Sequence, residues 1–209
     1  MNAIDPTGKD VWEINDQGEI INRIKDKTQD AFYMVAKNEN GDYQRTYTTD
    51  DEGNKNYNSI SFKYGTIESQ KSISYSPDGQ TKDTYDVYKV RGDDNGTALF
   101  EFLGNQVTGS SSRVEIGQAK TGIEGNKGLD FITTGHQERQ DPGSSYLLAG
   151  QLYYGYTVRE LNHTHPVNPV PSSNDLQYKT QVTDVFRSQG LRIPNFNIFY
   201  VPTKTLIPY

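Results

Sequence analysis

The segment "NHTHPVNPVPSSND", residues 162–175, holds two of the chain's three histidines one residue apart, with a serine and an aspartate close behind. On a strand, side chains at i and i+2 project to the same face, so His163 and His165 can bind one metal ion together. Asp175 is the candidate third ligand. Two imidazoles and a carboxylate give zinc three protein ligands and leave a fourth position for water, the pattern of a catalytic site. The same residues also read as a helix start. "SSND" before an apolar run is a Ser-x-x-Asp box, in which Ser172 caps backbone N–H groups and Asp175 sits in the first turn. The two readings are compatible, because a helix that begins after a tight loop can aim that carboxylate back at the strand end.

Metal-assisted hydrolysis also needs a general base, usually a carboxylate that is not a ligand. Glu101, Glu115, Glu124, Glu138 and Glu160 are available in this half of the chain. Glu160 has the opposite strand parity to both histidines and should face away. Glu115 lies between Val114 and Ile116, a charge inside an apolar strand, which is costly unless it faces a solvated cleft or a cation. Glu115 is therefore the favoured base. His136, in "TTGHQER", reads as an exposed loop histidine.

Several elements must position these residues. The first ninety residues read as strands joined by glycine turns at "NDQG", "NENG", "DDEG" and "SPDG". No catalytic residue types gather there, so residues 1–92 read as a β-rich structural or docking lead-in. The pattern changes at "RGDDNGTALFEFLGNQ", where Asp93, Asp94 and Asn95 are candidate caps and Leu99, Phe102 and Leu103 form a helical stripe ending near Gly104. "SSSRVEIGQAK" reads as a strand. "TGIEGNKGLDFITTGHQERQDPGSS" reads as loop around a short strand, "LDFITT". "YLLAGQ" is ambiguous between helix and strand, and from Tyr153 a strand leads to the histidines. Tyr178, Val182, Val185 and Phe186 then mark an amphipathic helix closed by Gly190, and the tail forms one or two strands. Strands alternating with two helices suggest an α/β or α+β core over residues 93–209.

Composition narrows the function classes. Of 209 residues 33 % are hydrophobic, and the mean hydropathy is -0.82, yet there are 15 tyrosines. That balance fits a sheet-rich, loop-rich fold better than disorder, which is poor in aromatics. A net charge of -6 without a basic stripe argues against nucleic-acid or anionic-membrane partners. The lack of cysteine excludes disulfides, thiolate zinc sites and a cysteine nucleophile. Neither a signal peptide nor a membrane span is expected, so export of this domain would depend on another carrier.

Two stretches carry a family resemblance. "VEI" (114–116) followed by "HTHPVNPVPSSND" (163–175) resembles the JAMM/MPN-type metalloprotease motif: an upstream Glu, His-x-His-Pro, a short loop, then Pro-Ser-x-x-Asp. The helix "ALFEFL" and the helix after Asp175 also stand where that fold places them, so the likeness covers residues 93–209. "IDPTGKD" resembles the Asp-Pro-x-Gly junction that follows the core of Rhs/YD-repeat proteins, where a variable toxin begins. Together they resemble the JAB-like toxin domains of bacterial polymorphic toxins.

The resemblance implies a JAB/MPN-like (cytidine-deaminase-like) mixed sheet flanked by helices. It implies Zn2+ held by His163, His165 and Asp175, with Glu115 moving the proton of the metal-activated water to the leaving amine. Ser172 would hydrogen-bond the water or the oxyanion. The reaction would be peptide or isopeptide hydrolysis on a protein substrate, ubiquitin-like or peptide-linked, by an effector domain delivered on a larger protein into a target-cell cytoplasm. A cognate immunity protein would accompany it. Some members of the wider superfamily lack the metal residues and act as scaffolds. The alternatives are thus a catalytically silent binding module and a metal hydrolase of another amide; this chain retains the whole residue set.

Overall fold

Three of the glycine turns read from the sequence close hairpins, and Pro77 and Asp78 of the fourth lie outside the described residues. Gly18, Gly41, Gly53 and Gly79 have φ of 75°, 87°, 85° and 76°, the left-handed region that glycine enters without steric cost. A computed structural model describes residues 10–76, 79–138, 140–150 and 152–209. The Asp-Pro-x-Gly motif at 5–8 lies outside the described residues. The first strands are β1 (Asp10–Ile14), β2 (Ile20–Lys25), β3 (Gln29–Lys37), β4 (Tyr43–Arg45), β5 (Tyr47–Thr49), β6 (Lys55–Tyr57), β7 (Ser59–Lys63), β8 (Ile67–Tyr75) and β9 (Asp83–Arg91).

Helix α1 (Asp93–Leu103) follows, extended by a π-helical turn over Gly104–Thr108. None of the three candidate caps is used. Gly92, at φ 83°, turns the chain into the helix, and Asp93 accepts instead from the Gly125 N–H at 2.8 Å and from Arg159 at 2.6 Å. After β10 (Val114–Gly122), β11 (Gly128–Glu138) is longer than the short strand expected. Its glycines mark close approach rather than turns: a Cβ on Gly128 would overlap the Asp93 carboxylate, and one on Gly135 would lie 2.6 Å from Pro142. Helix α2 (Pro142–Gly150) replaces the loop expected at "DPGSS" and settles "YLLAG" as helix. Proline at its first position is preorganised for a helix. The chain ends with β12 (Val158–His165), α3 (Ser173–Ser188), β13 (Asn195–Tyr200) and β14 (Thr205–Pro208).

Among the described residues, seven strands form one sheet in the order β14-β13-β12-β10-β11-β9-β8. All its neighbours are antiparallel except β12 and β13, which α3 connects as a crossover. A second sheet has the order β2-β1-β3-β4, with β7 also on β3. The fold is thus mixed α+β with three helices among the described residues.

Strand alternation buries both faces of the large sheet. One face, with Tyr88, Val90, Ile116 and Ile132, packs against α1 and against Trp12, Ile14, Phe32 and Met34 of the second sheet. The other, with Tyr85, Val87, Ala119 and Phe131, packs against α2 and α3. Each fully buried side chain of this size contributes about 1.5–3 kcal/mol. A buried relay of side-chain hydrogen bonds ties four strands together. Asn197 donates to Asn162 (2.8 Å), Asn162 to Gln118 (2.8 Å), and Gln118 to Asp130 (2.7 Å). Burial pushes the Asp130 carboxyl up to about 8.

The "NDQG" turn seats in a socket of the large sheet. The hydroxyls of Ser110 and Ser112 donate to the Asp16 carbonyl. His136 is not an exposed loop residue: it lies half-buried on β11 at φ 55°, with Nδ1 3.1 Å from the Gln17 carbonyl and Nε2 3.2 Å from Asp86. Burial disfavours its charge, but Asp86, the Gln17 carbonyl and Glu19 together outweigh burial and raise the imidazole above 6.5. The proton is held where the unfolded chain releases it. The resulting stability is complete below about pH 6.5 and fades as pH rises through the folded value. Replacing His136 with Gln should therefore lower Tm more at pH 6 than at pH 9; equal losses at the two pH values would show that the charge contributes nothing.

Candidate metal centre

The histidine strand, β12, lies inside the large sheet between β10 and β13. His163 is directly opposite Gly117 of β10, and Leu161 opposite Ala119. Opposed residues share a face, so both histidines point to the side covered by α2 and α3. Thr164 points the other way. Its hydroxyl lies 2.7 Å from Thr108 Oγ1 and accepts the Ile116 N–H at 2.9 Å, while Thr108 donates to the Val114 carbonyl at 2.6 Å. The strand ends at His165 because Pro166 has no N–H to continue the ladder.

Seven residues after His165, Ser172 caps α3. Its oxygen accepts the Asp175 N–H at 3.2 Å, and Asp175 Oδ2 accepts the Ser172 N–H at 2.6 Å, a complete capping box. The same carboxylate reaches back to the strand. Oδ1 lies 3.3 Å from His163 Nε2 and Oδ2 3.4 Å from His165 Nε2, and the two Nε2 atoms are 3.0 Å apart. One ligand atom from each residue can be chosen with all three inside 4.8 Å.

These atoms fit zinc. Ligands about 2.0–2.1 Å from a tetrahedral ion stand about 3.3 Å from one another, close to the separations found here. His165 Nδ1 lies 3.1 Å from the Asn168 carbonyl, which can only accept, so Nδ1 carries the hydrogen. In the neutral ring, Nε2 then presents its lone pair to the cluster. Burial works against charge on His165, but Asp175, Glu115 and the Asn168 carbonyl outweigh it and raise the imidazole. Asp175 itself, although burial opposes its ionisation, is held far below the carboxylate range by the two imidazoles.

Glu115 reaches the same place from β10. Continuing the Gly117–His163 register by two residues brings it alongside His165 on the same face. Opposite it the extra residues of a bulge lie on β11: Val114 pairs with Glu138 and Ile116 with Thr134, so Gly135, His136 and Gln137 stand against Glu115 alone. Glu115 lines a cavity of about 410 Å³ with His163, His165, Ser172 and Asp175, and it is the one glutamate in that lining. Glu160 faces elsewhere and pairs with Lys120 at 3.4 Å. Glu101 is exposed on α1. Glu124 precedes a 3-10 turn, and Glu138 ends β11.

Three further residues line the cavity that sequence reasoning passed over: Asp141, Tyr178 and Tyr209. Asp141 precedes α2 and accepts from the hydroxyls of Thr133 and Ser144; burial pushes its carboxyl up. A Cβ on Gly117 would overlap this pair, so the glycine makes room for it. The signal was present in "DPGSS", an Asp cap followed by an N1 proline. Tyr178 reads in the sequence only as the start of an apolar stripe. Tyr209 packs edge-on to His163, with ring centroids 5.8 Å apart and planes at 90°.

Comparison with protein families finds that residues 88–187 match the JAB-like toxin 1 family. The match supports a JAB-like toxin domain over those residues. The matched span of the JAB-like toxin domain runs from β9 into α3 and includes Glu115, both cavity histidines, Ser172 and Asp175. It leaves outside β13 and β14, which complete the large sheet beside the histidine strand. Searches of curated proteins and of solved structures give no match.

The stretch of β10 that presents Glu115 is held by the Thr164 hydroxyl. Thr164→Val keeps the side-chain shape but leaves the buried Ile116 N–H without its acceptor, which costs about 1–3 kcal/mol. Denaturant unfolding of this variant should show a loss in that range; an unchanged midpoint would mean the hydroxyl does not hold this stretch of β10.

Proposed function

We propose that the JAB-like toxin domain hydrolyses peptide or isopeptide bonds with a zinc ion held by His163, His165 and Asp175. The observation carrying this reading is the convergence of three ligand atoms in the wall of a cavity that Glu115 also lines. When bound, zinc supplies Lewis acidity, which makes water a nucleophile near neutral pH and polarises a carbonyl.

The chain's own residues do the rest. The Asn168 carbonyl keeps His165 in the ligand tautomer. Glu115 takes a proton from the attacking water and delivers it to the leaving amine. Ser172 uses an oxygen lone pair for the α3 cap and keeps its O–H to donate toward the developing oxyanion. Among the described residues the cavity lining includes the carboxylates of Glu115, Asp141 and Asp175 but no lysine or arginine. That balance disfavours a nucleic-acid substrate, whose phosphates call for cations.

Catalysis is assigned to residues 93–209, with 1–92 as a lead-in that lends β8 and β9 to the sheet. In this reading the domain is an effector carried by a larger protein into a target-cell cytoplasm. There it cuts a protein substrate at a ubiquitin-like or peptide-linked bond, and a cognate immunity protein restrains it in the producing cell. Among the described residues no helix is long and apolar enough to cross a membrane.

Purified protein should retain one zinc per chain, and His163→Ala should lose it, as measured by elemental analysis. Glu115→Gln should keep the metal yet lower hydrolysis by about 10²–10⁴-fold and abolish toxicity on expression. A Glu115→Gln chain as toxic as wild type would remove Glu115 from the mechanism. Failure of the wild type to hold zinc would favour the silent scaffold.

A further inference from the structure

Tyr209 is brought to the metal centre from the far edge of the sheet, through β14. The register of β14 on β13 pairs Pro208 with Asn197, and the next residue continues it: the Tyr209 N–H donates to the Phe196 carbonyl at 3.1 Å. Phe196 in turn pairs with Leu161 of β12. Leu161 shares the α3-facing side of the sheet with His163, so Tyr209 stands on that side too. Its ring meets Phe196 (centroids 6.2 Å apart) and extends to His163.

The placement is held at several points. Lys179 of α3 lies over the Tyr209 ring, 5.4 Å from its centroid, and its ammonium donates to the Tyr209 carbonyl. The ring is one wall of the cavity that also contains Glu115, His165 and Ser172. Of the hydroxyl-bearing residues in that lining, Ser144, Ser145, Ser172, Tyr178 and Tyr209, Ser172 is bonded to Asp175 and Tyr209 packs on His163, while Ser144 donates to Asp141. An oxyanion formed at a carbonyl has more than one lone pair to satisfy, and sites for such charge commonly use two donors.

We propose that Tyr209 is a further catalytic residue, whose phenolic O–H donates a hydrogen bond to the oxyanion of the tetrahedral intermediate, opposite the donor supplied by Ser172. The proposal rests on the zinc-hydrolase reading above. The phenol keeps its proton throughout: no bond to it is broken, and the proton that reaches the leaving amine travels through Glu115. A purely structural role for Tyr209 would need only the ring, because the edge-on contact with His163 and the contact with Lys179 do not involve the hydroxyl. Phenylalanine separates the two roles.

The test uses the full chain loaded with cobalt in place of zinc, so that the metal reports through its visible absorption, and inorganic phosphate as a tetrahedral oxyanion probe. Tyr209→Phe should take up cobalt with the wild-type spectrum and unfold at the wild-type temperature. Its affinity for phosphate, titrated through the spectrum, should be about 10- to 100-fold weaker, the effect of one hydrogen bond to a charged group. Equal phosphate affinity in the two proteins, with normal cobalt spectra, would overturn the role of Tyr209 and leave the metal reading intact. No cobalt absorption in the wild type would overturn both. Ser172→Ala is the companion variant: a loss comparable with that of Tyr209→Phe, and a larger one in the double variant, is the pattern of two donors sharing one oxyanion.

Discussion

The reciprocal hydrogen bonds between Ser172 and Asp175 decide where a helix starts and, in the same stroke, where a carboxylate points. As a cap they contribute about 1 kcal/mol, a small part of the 5–15 kcal/mol that holds a typical domain together. Their geometrical effect is larger. They fix the first turn of α3 within one short loop of the strand end, so the Asp175 carboxylate lies 3.3–3.4 Å from two imidazoles. A carboxylate on an unanchored loop would sample many positions and lose entropy on meeting a ligand. Here that loss is met in folding.

The rest of the site is built from strand alternation. On β12, Thr164 points into one layer while His163 and His165 point into the other, so a single strand both anchors and presents the cluster. Thr108 and Thr164 bind the peptide groups on either side of Glu115, at the point where β11 bulges against β10. Glu115 and the two histidines therefore belong to one rigid sheet, and α3 brings Asp175 to them. Groups that must agree within a fraction of an ångström are best carried in this way.

Much of this was legible in the sequence because it depends on short-range rules. The His-x-His parity, the Ser-x-x-Asp box, the glycine turns and the stripe of Val182 and Phe186 all act within a few residues of themselves. What was not legible depends on distant partners. Gly128 and Gly135 look like loop punctuation, but each is small because Asp93 or Pro142 presses against it. The helix at Pro142 was hidden by the same misreading. Asp93 has the composition of a cap and serves instead as a bridge between Gly125 and Arg159. His136 looks exposed until Gln17 and Asp86, far away in sequence, close around it. Tyr209 reaches the cluster only through the pairing of β14, which no local pattern announces.

The two layers on the large sheet are chemically unequal. The lead-in strands and α1 meet one face through Trp12, Phe32, Leu99 and their neighbours, while the cluster and its cavity belong to the other. A substitution in β1 or β3 that preserves apolar volume changes a packing surface on the face away from the cavity. The fold therefore separates two kinds of inheritance: the lead-in layer can drift, or be exchanged for another apolar cover of the same shape, while the layer with the histidines stays as it is.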